Sequence, residues 1–385
     1  MNFLSKLFKA EVFLDSEVLA VVVYIIAPAG VYTGGPTALF QLCKALREED
    51  ISAMMAFYGN IYINSVNNPV HPNYQKYQVP WTILDRIEDG KDVAVIAPET
   101  ATDKLARFTQ ARKIIYWLAV DNYVLKSYKP SKIQFILHIL KNYMFDSYLA
   151  YSLITNNIRI YYNAYLSNFV KSLMDKKAVL LPKADLHLAQ SKYAYNFLKE
   201  YGIENILTIH EPLEEEFLSK AKKIKHNEKI DAIAWNARKA YPSALRLVKV
   251  LKKRGLPIFD LKNVGKNSMI EILSKTKIFL DIGFHPGRDR PAREAIVLDN
   301  ITVVNNHGGY YYFEDLMIPP EFKLNLYLDS PVDYNELAKR MVYYLENFED
   351  CIKKFYKSKE YIMEKPTLFS RDVQVLSEIL KEWKV

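Results

Sequence analysis

The sequence predicts an α/β protein built as two doubly wound domains that face one cleft. Apolar runs rich in valine and isoleucine alternate with amphipathic helical segments through the first half of the chain. A polar run from Glu214 to Lys229 reads as a linker, and the same alternation starts over at Ala232. Loops after the apolar runs gather glycine, arginine and carboxylate residues, and in open α/β sheets ligands bind there. At 385 residues the chain has room for two domains of ordinary size.

The totals narrow the class. Half of the residues are hydrophobic and a quarter are charged, which fits full cores under a solvated surface. Cys43 and Cys351 lack metal-ligand spacing and make no disulfide framework, in keeping with a reducing cytoplasm. A net charge of +8 favours anionic partners. No recognition helix, zinc module or single-strand platform is visible, so nucleic acid is not expected. Glu11, Asp15 and Glu17 interrupt the N-terminal stretch where a secretory signal needs an apolar core. Val18 to Ala29 is too short to span a bilayer, which takes about 20 residues. Phe3, Leu4, Leu7 and Phe8, with Lys6 and Lys9, make either a small membrane foot or a loosely packed terminal helix.

Val18 to Ile26 is the first expected strand, and it feeds a loop that ends at Gly34 and Gly35. Pro36 suits the first helical position, and Leu39, Leu42, Cys43 and Leu46 trace one helical face. Glycines ahead of a helix either close a tight turn or let an anion approach the free N–H groups. Ile51 to Phe57, Asp92 to Ala97 and Lys113 to Val120 are further strands. Glu99 follows one of them. Asp121 and Asn122 follow another, where they either shape a turn or contact an acceptor.

Tyr123 to Leu180 breaks the alternation. It holds eight lysines and arginines against Asp146 and Asp175, interleaved with Ile133, Phe135, Ile136, Ile139 and Leu140. Such a helical insert suits an anionic membrane surface, a cover over the acceptor cleft, or simple packing on its own domain. Asp185 to Gln190 and Ile206 to His210 resume the strands, with Ser191 capping the helix between them.

In the second series Ala232 to Trp235, Ile258 to Val264, Ile278 to Ile282 and Ile301 to Val304 are strands, and Ser268 to Thr276 is a helix. Arg238 and Lys239 stand after the first of these. The loop from Gly283 to Pro291 gathers His285, Arg288, Asp289 and Arg290, and Glu294 lies one turn into the next helix. Guanidinium forks and glycine-rich backbone match phosphate, although solvated loop charges would look the same. Gly308 and Gly309 close the following loop. The tail from Asp333 is helical in pattern, with Pro366 expected to break it before a last helix at Ser370 to Trp383.

Glu294-Ala295, the strand Ile301 to Val304 and Gly308-Gly309 follow one another in an order that resembles the donor half-site of retaining nucleotide-sugar glycosyltransferases of the GT-B fold, the "glycosyl transferases group 1" type. The segment HPGRDRPAREA also resembles a bacterial subgroup in which HPG(K/R)DR-x-P-REA-like wording recurs. The resemblance implies two Rossmann-like domains: a first over 1–213 with the insert at about 123–180, a second over 226–365, and a helix at 366–385 that crosses back to the first. It places Glu294 on a glutamate that holds the donor ribose. A second glutamate, expected eight positions earlier to contact the donor sugar, is Pro286 here, and His285 or Asp289 would substitute as the catalytic groups. Gly34, Gly35, Arg238, Lys239, Arg288, Arg290, Gly308 and Gly309 would bind the donor. In the family a lysine about five residues after the arginine completes the diphosphate clamp. That position is near Ser243, so Lys239 would take its place. Asp121 and Glu99 would meet the acceptor.

The implied reaction moves a sugar from a nucleotide-diphosphate donor to a glycan or lipid-linked acceptor, in cell-envelope polysaccharide synthesis at the inner face of the membrane. No Asp-x-Asp motif occurs, so no metal is expected, and the nucleotide sugar is a substrate, with no further cofactor. A non-catalytic GT-B protein that binds a glycan or a partner is the alternative, and Pro286 is its best support. The missing G-x-G-x-x-G pattern counts against a nicotinamide dehydrogenase.

Overall fold

The computed structural model describes residues 21–59, 68–144, 146–154, 158–326 and 332–383. The expected N-terminal amphipathic segment and the start of the first strand at Val18 lie outside the described residues. Two wholly parallel sheets organise the chain. The first contains β1 (Val22–Pro28), β2 (Ala53–Tyr58), β3 (Trp81–Ile83), β4 (Val93–Pro98), β5 (Arg112–Trp117), β6 (Leu186–Ala189) and β7 (Ile206–Thr208), in the order β3-β2-β1-β4-β5-β6-β7. The second contains β8 (Ile230–Trp235), β9 (Ile258–Asp260), β10 (Thr276–Asp281), β11 (Ile301–Asn305) and β12 (Lys323–Leu324), in the order β12-β11-β10-β8-β9. Central strands such as β4 and β11 are buried along their whole length, which is why they read as unbroken apolar runs. Strand order reverses between β1 and β4 and between β8 and β10. The carboxyl ends of these strands carry most of the candidate residues.

The helices fill both faces. After β1 comes α1 (Gly34–Glu48), which buries Leu39, Leu42, Cys43 and Leu46. The insert between β5 and β6 forms α2 (Val120–Tyr128), α3 (Lys132–Tyr143), α4 (Ser147–Ile154) and α5 (Arg159–Asp175). Ser131 and Gln134 make a reciprocal capping box at the start of α3. Although the insert belongs by sequence to the first sheet, Tyr143, Ile160 and Tyr161 join the hydrophobic core of the second. Asp146 accepts from Arg246 at 2.6 Å and from Tyr161 at 2.9 Å, tying it there.

Next come α6 (Lys192–Glu200), capped by Ser191 as expected, and α7 (Glu215–Ala221). The latter lies inside the run expected to be a linker. Its charges conceal a stripe of Phe217, Leu218 and Ala221 that packs into the second core. The second domain continues with α8 (Pro242–Lys253), α9 (Lys266–Lys275), α10 (Arg290–Val297), α11 (Phe313–Leu316), α12 (Tyr334–Glu346) and α13 (Phe348–Lys353).

The last described element is α14 (Tyr356–Glu382), which continues unbroken through Pro366. The expected break does not occur because the helix is anchored on both sides. Ile362 packs in the second core, and Phe369, Val373, Leu376 and Leu380 pack in the first. Burial of four large apolar side chains, at about 1.5–3 kcal/mol each, outweighs the roughly 3 kcal/mol that an interior proline costs. Two further boundaries differ from expectation: β5 stops at Trp117, so Val120 and Asp121 open α2, and β9 ends at Asp260 instead of Val264.

Candidate functional site

Gly34 and Gly35 occupy the first turn of α1, with Thr33 before them in an extended conformation. Gly34 is exposed, so its N–H and the helix dipole behind it are open to an anion. Facing it across the cleft is α10: a Cβ built on Gly34 would lie 3.4 Å from Cδ of Arg290. One turn along α10, Glu294 is 6% exposed, and its carboxyl makes no hydrogen bond among the described residues. Burial pushes its carboxyl up to about 7, although Arg290 and Arg293 pull it down. Such a carboxyl, with both acceptor oxygens unused, is suited to a ligand hydroxyl. Arg238, after β8, is exposed and has no ion-pair partner among the described residues.

A second group of residues is tied into the loop after β10. His285 is fully buried, with Nδ1 3.1 Å from Asp289 Oδ2 and Nε2 3.0 Å from Asn305 Oδ1. Asn305 Oδ1 also accepts from the Gly283 N–H at 2.9 Å. Asp289 accepts from Lys239 Nζ at 2.6 Å, and Lys239 and His285 hold its carboxyl down to about 2 against the upward push of burial. Asp281, at the end of β10, accepts from Tyr310 at 3.0 Å and from Asn236 at 3.0 Å. Glycine is required where this loop meets its neighbours. Gly308 has φ +57°, and a Cβ there would sit 2.1 Å from the His285 carbonyl oxygen. A Cβ on Gly309 would strike the Gly287 carbonyl at 2.3 Å, and one on Gly287 would strike the Leu118 carbonyl, across the domain boundary, at 2.5 Å. Asp121 N donates to Pro286 O at 3.2 Å, so the loop closes directly onto the first domain.

Glu211 ties the domains a second time. Its carboxylate is fully buried and pairs with Arg293 at 2.7 Å and with Arg290, whose Nε donates at 2.7 Å. Gln190 also donates to it. Burial pushes Glu211 up, but Arg290, Arg293 and Arg288 overcome this and hold it at about 2. Arg290 further reaches Gln41 Oε1 at 3.3 Å and lies 3.9 Å from Glu214, itself paired with Lys76 at 2.8 Å.

The carboxylates expected near the acceptor are both buried. Glu99 is 3% exposed and accepts from the Leu118 N–H at 3.0 Å, fixing the turn between β5 and α2. Asp121 is 1% exposed and accepts from the Tyr193 hydroxyl, while its Oδ2 has no partner among the described residues. Burial pushes Glu99 up to about 7 and Asp121 up to about 8.

The fold therefore brings Gly34, Gly35, Arg290 and Glu294 together across the cleft, and gathers Lys239, His285, Asp289, Gly308 and Gly309 in one packed knot. Arg288 is buried, and its Nε and Nη2 have no hydrogen-bond partner among the described residues. Glu211, Asp281, Arg293, Asn305 and Tyr310 carry much of this geometry and were not singled out from sequence. Asp281 and Asn305 end parallel strands, so the strand-end rule applied evenly would have found them.

No family model matches the sequence, and no curated protein does. Solved structures share the fold. A glycosyltransferase from Rickettsia africae ESF-5, 13% identical, aligns over 94% of this chain and 98% of its own, with a TM-score of 0.53. Sucrose-phosphate synthase from Thermosynechococcus elongatus, 10% identical, aligns over 94% and 98% with a TM-score of 0.51. These neighbours are GT-B glycosyltransferases, and the likeness establishes that this chain has the GT-B fold.

Proposed function

We propose that the protein is a glycosyltransferase that moves a sugar from a nucleoside diphosphate donor to an acceptor hydroxyl, with retention of anomeric configuration. The observation that carries this is the facing pair formed by the first turn of α1 and α10, which meet at Gly34 and Arg290. An exposed helix N-terminus for phosphate stands opposite the helix whose Glu294 carboxyl is free for a ribose diol. Exposed Arg238 and half-buried Lys239 add positive charge at the end of β8. In the step, the acceptor oxygen bonds to the anomeric carbon as the bond from that carbon to the diphosphate oxygen breaks. The acceptor proton passes to the departing diphosphate. Side chains and helix dipoles stabilise the negative charge that develops on it, so no metal is required. His285 and Asp289 fix the loop beside the donor sugar from within their knot, standing in for the glutamate absent at Pro286.

A thermal-shift panel of nucleoside diphosphates and nucleotide sugars, with and without magnesium, tests this on wild type and Glu294→Ala. A ligand at about 100 times its Kd adds roughly 2.7 kcal/mol of stability, and the substitution should remove most of that gain. A flat panel would sink the donor site. Binding without transfer or hydrolysis would leave the non-catalytic alternative, which Pro286 favours.

The acceptor is glycan-like or lipid-linked, and α3 supplies the reason. Ile133, Ile136, Leu137 and Leu140 are 51–72% exposed and recur at helical spacing along it, continued by Met144. Lys129, Lys132 and Lys141 flank that stripe. Among the described residues no helix is long and apolar enough to cross a membrane, and this face suits lying on an anionic bilayer at the inner side of the cell membrane. Wild type should sediment with vesicles containing phosphatidylglycerol, and Leu137→Glu should not. Equal sedimentation of the two would end the idea.

A further inference from the structure

We propose that Arg288, Arg293, Lys365 and Tyr116 form an internal site for a phosphate-class oxyanion, separate from the donor cleft, that locks the two domains together. Arg288 is 3% exposed, and Arg293 and Lys365 are completely buried. Arg288 Nε and Nη2, Arg293 Nε, Lys365 Nζ and the Tyr116 hydroxyl are all buried without a hydrogen-bond partner among the described residues. The guanidinium nitrogens are donors only, and a guanidinium cannot shed its proton to escape burial. A folded interior does not leave this many unmet donors without an acceptor for them.

The groups come from neighbouring elements: α10, which carries Arg293, packs on α14, which carries Lys365. Burial, with Arg288 and Arg293, pushes the Lys365 amine down, and both arginines also bear on Tyr116. The ammonium of Lys365 lies 3.5 Å from the centre of the Tyr361 ring, so one of its sides is already covered. Nearby carboxylates are committed elsewhere. Asp315 accepts from the Lys192 and Tyr193 amides at 2.6 and 3.2 Å, and Asp372 accepts from His210 N and Nδ1 at 2.6 and 2.8 Å. Glu211 takes its side-chain hydrogen bonds from Arg290, Arg293 and Gln190, and none from Arg288. What remains is a cationic surplus with several donors, which matches the many acceptor oxygens of a tetrahedral anion better than a single halide.

Its placement gives the site a role. Tyr116 comes from β5 of the first sheet, and Arg288 and Arg293 come from the loop and helix after β10 of the second. Lys365 comes from α14 where that helix passes from the second core to the first. An anion here bonds to all three and resists domain opening. The oxyanion is either free phosphate or the phosphate of a nucleotide, and the two are separable.

The test is thermal unfolding of the full chain in a phosphate-free buffer, titrated with inorganic phosphate, with sodium chloride at equal ionic strength, and with UDP. Wild type should show a saturable shift with phosphate beyond that with chloride. Lys365→Met and Arg288→Met should each weaken it at least about tenfold, while Glu294→Ala keeps it. Lys365→Met removes a buried unpartnered amine, so it should be no less stable than wild type in the phosphate-free buffer. A shift with UDP alone that Lys365→Met abolishes would assign the oxyanion to a nucleotide. A phosphate shift no larger than the chloride shift, without such a UDP effect, overturns the site. So does a shift that Lys365→Met leaves unchanged, or one lost only in Glu294→Ala, which would place phosphate in the cleft. Because Glu294→Ala is the variant that tests the donor site, failure of one proposal is distinguishable from failure of the other.

Discussion

Two pairs of carboxylates in the segments behind the strands, all buried or largely so, behave in opposite ways, while Asp281 at the end of β10 is pushed up by burial. Glu99 and Asp121 of the first domain, which make no ion pair among the described residues, are pushed up to about 7 and about 8 by burial. Asp289 of the second, and Glu211 in the segment between the sheets, are held at about 2 because Lys239 and His285 face one, and Arg290 and Arg293 face the other. Burial alone therefore does not set the charge of the cleft walls; the placement of cations does, and the second domain supplies them. Glu294 behaves like the first pair although arginines flank it, because those arginines are already shared with Glu211.

The sharpest way to break this contrast is Glu211→Ala. It would leave Arg293 fully buried and Arg290 nearly so, each stripped of its carboxylate, and losing one partner of a buried ion pair costs about 3–5 kcal/mol. Denaturant unfolding should register a loss of that size. The sign with pH is fixed by the lowered pKa. Glu211 contributes its stability above the ordinary carboxylate range, and that stability is lost as pH falls from about 4.5 to about 2. A wild type with flat stability across that interval, or a variant within about 1 kcal/mol of it, would remove Glu211 from its central place.

Asp289→Asn should cost less, about 2 kcal/mol, because Lys239 is one-third exposed and water can take over part of its solvation. The larger consequence should be geometric. With the carboxylate gone, the loop that carries His285 loses its tie to Lys239, and nucleotide affinity should change with it. Unaltered nucleotide binding in this variant would show that the knot is scaffolding alone.

Much of the fold could be read from sequence because parallel strands buried on both faces print as apolar runs with glycine-bearing loops behind them. The strand ends around Gly34, Lys239, Asp289 and Glu294 were legible for the same reason. The partnerships were not. Glu211 sits between an expected strand and the stretch that reads as linker, and nothing local shows that Arg290 and Arg293, some 80 residues on, close upon it. The insert likewise carries a cationic, apolar pattern that fits several roles. That α5 reaches the second domain through Asn163 to the Ala240 carbonyl, at 3.1 Å, depends on a contact 77 positions away. Pro366 misleads in the other direction, since a local rule predicts a break that tertiary packing on two cores prevents.

The mildest test concerns the first-domain side. Asp121 Oδ1 accepts from Tyr193, and its Oδ2 is buried without a partner among the described residues, so the ionised form is poorly housed. A raised acid pKa means that the native state binds its proton more tightly than the unfolded chain does. The resulting stability is complete below about pH 4 and is lost as pH rises toward about 8. Asp121→Asn keeps an oxygen for the Tyr193 hydroxyl and cannot ionise. It should unfold like wild type near pH 4 and be more stable by about 1–2 kcal/mol at pH 8–9, the gain limited by relaxation and water entry in the ionised wild type. Measured in parallel, Asp289→Asn should lose stability over that same alkaline range. If both substitutions shifted stability in the same direction at pH 8, the cations of the second domain would not be what separates the two walls of the cleft.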